Sequence, residues 1–73
     1  MDLEKIIQIV SEATRIPAGE ISEDTYFFED LCADSLELFR IYTEIIEALD
    51  ADYKFEDFVK VKTVGSLYDL INR

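Results

Sequence analysis

Residues Asp34 to Asp50, DSLELFRIYTEIIEALD, constrain this chain more than any other segment. At 100° per residue, Leu38, Tyr42, Ile45 and Leu49 fall on one stripe, with Phe39, Ile41 and Ile46 as its shoulders. Glu37, Arg40, Glu44 and Glu47 point the other way. Asp34 is a good N-cap residue, and Glu37 three positions later completes a capping box. The segment is therefore an amphipathic helix with a fixed start. In a chain of 73 residues, most of what remains must cover its apolar stripe.

The rest of the sequence supplies that cover. DLEKIIQIVSEAT carries Leu3, Ile6, Ile7, Val10 and Ala13 at helical spacing. Pro17 disfavours helix at Ile16, and Gly19 loosens the turn after it. A loop to about Ala33 follows, long for so small a domain. Its Tyr26, Phe27, Phe28 and Leu31 are expected to pin it to the core. After Asp50, a short helical turn is expected around Phe55 to Val59. A last helix, capped by Thr63, turns Val64, Leu67, Tyr68 and Ile71 inward. Gly65 falls in its first turn, where the helix penalty of glycine matters less. The expected fold is all-α: a small four-helix bundle of three main helices and one short one, with a long first loop. Residues 1–73 read as a single domain without repeats or linkers.

Charge narrows the function. The chain has 17 acidic and 7 basic residues, a net charge of −10. Between Ile16 and Tyr53 there are eleven acids and one base, Arg40. Nucleic acid and anionic membranes would be repelled by such a surface, whereas basic protein surfaces would be attracted. There is no histidine, which removes the commonest acid–base catalyst and zinc ligand. The single cysteine, Cys32, cannot form an internal disulfide, and a reducing cytoplasm fits best. No apolar run is long enough to span a bilayer, and the N-terminus lacks the layout of a signal peptide. No metal site is expected. The acidic segment Asp24 to Ser35 lacks the central glycine and final glutamate of a calcium loop.

Two residues at the start of the strongest helix stand out. Leu36 lies on its polar side, and Ser35 occupies its first position. Separately, each has a bland reading: a scattered surface leucine and a small residue suited to a helix start. Together they place a solvent-facing hydroxyl at the positive end of a helix, where a phosphate ester is favoured. An exposed leucine and a ring of carboxylates beside it offer a partner enzyme a grip. No histidine or lysine lies close in sequence to activate Ser35, and there is no G-x-S-x-G elbow. Ser35 reads as a residue that is modified rather than as a nucleophile.

With these residues in view, FFEDLCADSLEL resembles the acyl carrier proteins of bacterial fatty-acid and polyketide synthesis. The Asp34-Ser35-Leu36 triplet is similar to their phosphopantetheine attachment motif. The resemblance runs along nearly the whole chain, including Phe27 to Leu31 upstream and Lys60 to Gly65 downstream. It implies a non-catalytic carrier. Ser35 would be esterified by a phosphopantetheinyl transferase, using coenzyme A and magnesium, with Asp34 and Leu36 flanking the attachment. The thiol of the 4'-phosphopantetheine arm would hold an acyl group as a thioester. Acyl-processing enzymes with basic patches would dock on Asp34, Leu36, Glu37 and Glu47, with Arg40 and Glu44 on the same outer face. An acyl pocket between the helices would be lined by Phe27, Ile45, Phe58, Val61 and Leu67. A cytoplasmic monomer is expected.

Four positions depart from the family pattern. Cys32 stands where glycine is usual, and is strained if that position needs positive φ. Burial is the commoner state of a free cysteine and the one expected here. Arg40 replaces a frequent glutamate and is spaced to pair with Glu37 or Glu44. Ile46 replaces a usual acid. Phe58 stands where a small residue is typical, so it would fill the pocket and shorten the cargo. A fatty-acid or specialised polyketide carrier fits these features. The alternative is an acidic helical interaction module without a prosthetic group.

Overall fold

Four helices form in the order the periodicity predicts. The computed structural model describes residues Met1–Arg73. Helix α1 spans Leu3–Thr14, α2 Ser35–Leu49, α3 Phe55–Lys60 and α4 Val64–Ile71. A single 3-10 turn, Ala18–Glu20, interrupts the first loop.

The helix boundaries have local causes. Asp2 caps α1 by accepting from the Lys5 N–H at 2.8 Å. Helix α1 ends at Arg15 and α2 at Asp50, both left-handed, with φ of 63° and 50°. Thr63 caps α4 through the Ser66 N–H at 3.1 Å. One core of fifteen buried residues joins all four helices and the loop, with Ile6, Val10, Phe27, Ile41, Ile45, Phe58, Val64 and Leu67 almost wholly enclosed.

Three details differ from the sequence reading. The buried line of α2 is Leu38, Ile41 and Ile45; Tyr42 and Leu49 are half-buried and Phe39 is exposed. The core face is rotated towards Ile41, with α1 packed against α2 and α3 meeting the helix on the Tyr42 side. In the loop, Phe27 and Leu31 are the pins, joined by Ile21 and Ala33, whereas Tyr26 and Phe28 point outward. Third, Tyr68 is half-buried, so Val64, Leu67 and Ile71 carry the inner face of α4.

The long loop is held by backbone as well as by side chains. Phe27 N–H donates to Lys62 C=O at 2.9 Å, Val64 N–H to Thr25 C=O at 3.0 Å, and Gly65 N–H to Glu23 C=O at 2.8 Å. A β-bridge between Tyr26 and Thr63 lies beside them. A Cβ on Gly65 would stand 2.9 Å from the Glu23 carbonyl oxygen. Glycine is needed here for close approach of the loop, a stronger reason than a tolerated place in the first turn. An aromatic cluster ties α2 to α3. Phe58 meets Tyr42 edge-on at 4.9 Å between ring centroids, and Phe55 meets Phe39 at 5.2 Å. The Tyr42 hydroxyl donates to Tyr53 C=O at 2.6 Å, fixing the α2–α3 connection.

Candidate functional site: the start of helix α2

The turns before α2 aim its first residue at solvent. Asp30 and Leu31 N–H groups both donate to Tyr26 C=O, Cys32 N–H to Phe28 C=O, and Ala33 N–H to Phe27 C=O. The Asp30 carboxylate accepts from Tyr26 N–H at 2.9 Å and closes the nest. Cys32 completes it with φ of 52°, so the positive-φ condition for strain is met. Its side chain is exposed, contrary to the burial expected of a free cysteine, because buried Leu31 and Ala33 flank it and turn it outward.

The capping box forms as its sequence demands. Asp34 Oδ1 accepts from Glu37 N–H at 2.9 Å, and Glu37 Oε1 accepts from Asp34 N–H at 3.2 Å. Leu38 N–H reaches Asp34 C=O at 2.9 Å. That leaves the N–H groups of Ser35 and Leu36 without a protein acceptor, beside an exposed Ser35 side chain. A phosphate ester on the Ser35 hydroxyl would sit by two unfilled donors at the positive end of a fifteen-residue helix. The donor set at the start of α2 thus fits a phosphate-linked group.

Around Ser35, exposed apolar and charged side chains lie close together along α2. Leu36 is 80% exposed. Glu47 and Arg40 lie on the outer face of α2, with Glu37 and Glu44 half-buried beside them. Arg40 Nε pairs with Glu44 at 3.5 Å, the second of its two possible partners. Sequence reasoning missed the outward Phe28, Phe39 and Val59, which add exposed apolar area to the surface. Phe39 was legible only as a shoulder residue, and Val59 as part of a short turn.

The five expected pocket residues do not surround an opening. Phe27, Ile45, Phe58 and Leu67 are buried in the continuous core, and Val61 alone reaches a surface groove. That groove, of about 590 Å³, lies along α3 and α4 and also holds Lys60, Lys62 and Arg73. A second, of about 400 Å³, lies between α1 and the 3-10 turn. No helix is long and apolar enough to cross a membrane.

Fold and site together define a small acidic helical domain that displays one serine at a helix start. A family model described as the phosphopantetheine attachment site matches residues 4–71. An acyl carrier protein of Prochlorococcus marinus (strain MIT 9515) is 35% identical over 69 residues, covering 94% of this chain and 86% of that protein. A solved structure described as a candidate acyl carrier protein from Mycobacterium tuberculosis superposes with a TM-score of 0.83 at 30% identity, covering 97% of this chain and 96% of that one. The chain belongs to the acyl carrier protein family. Its cofactor is 4'-phosphopantetheine, and proteins of this family are carriers rather than catalysts.

Proposed function

We propose that Ser35 is the attachment residue and that the protein carries acyl intermediates of fatty-acid or specialised polyketide synthesis in the cytoplasm. The observation that carries this reading is the exposed Ser35 beside the unfilled N–H groups of Ser35 and Leu36. Ser35 does not act as a nucleophile on cargo. Its Oγ forms a bond to the phosphorus of the phosphopantetheinyl group as the P–O bond to the adenosine half of coenzyme A breaks and the hydroxyl proton leaves. A transferase supplies the base and the magnesium, since no histidine is present to do so. Once attached, the group supplies a thiol that holds the acyl cargo as a thioester.

The remaining residues position and steer. Asp34 and Glu37 lock the helix start through the capping box, so that Ser35 has a fixed direction. Leu36 offers an apolar anchor, and Glu44, Glu47 and Asp34 offer charge to basic patches on the transferase and on acyl-processing enzymes. Rim charges raise encounter rates while leaving release fast, which a carrier visiting several enzymes requires. Arg40 neutralises part of this face through Glu44 and selects among partners. Phe27, Ile45, Phe58, Val61 and Leu67 are the positions between which cargo would be sheltered. Their close packing supports a short cargo, because entry has to displace Phe58.

The test is intact mass after incubation with coenzyme A, magnesium and a broad-specificity phosphopantetheinyl transferase. Wild type gains one phosphopantetheine and Ser35→Ala gains none. Circular dichroism confirms that both are folded. A folded wild type that stays unmodified with its own transferase as well puts the interaction module ahead.

A further inference from the structure

The groove along α3 and α4 runs against the charge of the rest of the chain. Three of the seven basic residues, Lys60, Lys62 and Arg73, line it together with the hydroxyls of Thr63 and Ser66. Two carboxylates, Asp57 and Asp69, also border it. Outside the groove, four bases stand against fifteen acids. The molecule nevertheless forms a single ion pair, Arg40–Glu44, on another helix. The three groove cations therefore have no carboxylate within salt-bridge distance, although the chain holds seventeen. Cations left free in so acidic a molecule are available to an outside anion.

The walls are prearranged. The Lys62 carbonyl is tied to Phe27 N–H at 2.9 Å, and Tyr26, which lines the groove, is bridged to Thr63. The backbone donors at the start of α4 are already used: Val64 by Thr25, Gly65 by Glu23 and Ser66 by the Thr63 hydroxyl. The side chains of Lys60, Lys62 and Arg73 supply the positive charge of an open, polar groove of about 590 Å³. A groove of this size, lined by ten residues, has room for several carboxylates of one segment rather than a single compact anion. None of Ser35, Leu36, Glu37 or Glu47 lines the groove, so it is a surface apart from the start of α2.

We propose that this groove binds an acidic peptide segment of a partner protein. Its role is orientation. The acidic face of α2 alone would accept a basic patch in several rotations. A second surface of opposite sign admits only partners that place carboxylates against Lys60 and Lys62, and rejects those with further basic residues there. The proposal does not depend on modification of Ser35.

The experiment is an amide NMR titration of the 73-residue protein with hexaglutamate, with hexalysine and tripolyphosphate as separate arms. Hexaglutamate is expected to shift Tyr26, Lys60 to Ser66 and Arg73, and to bind less well when salt is raised to about 0.15 M. The double variant Lys60→Ala/Lys62→Ala, altered only at exposed side chains, is expected to bind hexaglutamate about tenfold more weakly, since each exposed pair contributes up to about 1 kcal/mol. Ser35→Ala is expected to bind as wild type. The proposal is overturned if hexaglutamate shifts nothing or shifts residues elsewhere. It is equally overturned if tripolyphosphate occupies the groove more tightly than hexaglutamate, or if the double variant binds undiminished.

Discussion

Cys32 and Gly65 are two positions where backbone geometry, rather than side-chain chemistry, sets the requirement. Cys32 holds φ of 52° three residues before Ser35. A non-glycine residue in the left-handed region costs roughly 1–2 kcal/mol, and glycine returns roughly 0.4–1 kcal/mol of that through its freer unfolded state. Cys32→Gly is therefore expected to stabilise the fold by about 0.5 kcal/mol. Urea denaturation measures it, and a less stable glycine variant would mean that Cys32 is not strained. Gly65 gives the opposite sign. Alanine there improves helix propensity by about 1 kcal/mol but drives a Cβ to 2.9 Å from the Glu23 carbonyl. Overpacking of this kind costs about 1–3 kcal/mol, so Gly65→Ala is expected to lower the denaturation midpoint. An unchanged or higher midpoint would show that the loop yields without loss.

The helices are joined by two different devices, and each has its own sensitivity. The capping box starts α2 and orients Ser35. Asp34→Ala is expected to cost about 1 kcal/mol of stability. It should also slow modification of Ser35 by the transferase, because the helix start frays; Asp34→Asn, which keeps the cap acceptor, should restore most of the stability but not the charge-dependent part of the rate. The second device is the aromatic cluster between α2 and α3. Phe58 is 1% exposed and packs against Tyr42, whose hydroxyl bonds to Tyr53 C=O at 2.6 Å. Tyr42→Phe removes that bond and is expected to cost about 1 kcal/mol, read as a fall in melting temperature with an unchanged helical spectrum. A null result would place the α2–α3 hold in packing alone.

Seventeen acids on one small domain make self-repulsion a property of the entire fold. With one ion pair to offset it, stability is expected to rise as salt screens the surface, the screening length falling to about 8 Å near 0.15 M. Melting temperature across a salt series decides this; a flat series would mean that the charges are already too far apart to repel. The same charge layout gives the molecule two unlike surfaces, the acidic outer face of α2 and the cation-lined groove along α3 and α4.

Much of this was legible in the residues. Apolar spacing placed four helices, and Asp34 with Glu37 marked the start of α2 to the residue, because a capping box is a local hydrogen-bond pattern that needs no distant partner. Ser35 and Leu36 were legible for the same reason: their exposure follows from the helical phase that Asp34 sets. What the chain alone could not decide depends on residues far apart in sequence. Whether Tyr26, Phe27 or Phe28 faced the core was settled by hydrogen bonds to Lys62 and Val64 across the Tyr26–Thr63 bridge, more than thirty residues away. Which apolar residues of α2 are enclosed depends on the packing of α1 and α3 against it, and the need for glycine at Gly65 on the approach of Glu23. The groove that gathers Lys60, Lys62 and Arg73 is formed by residues of α3, α4 and the turn between them together with Tyr26 of the first loop, an arrangement that no local spacing encodes.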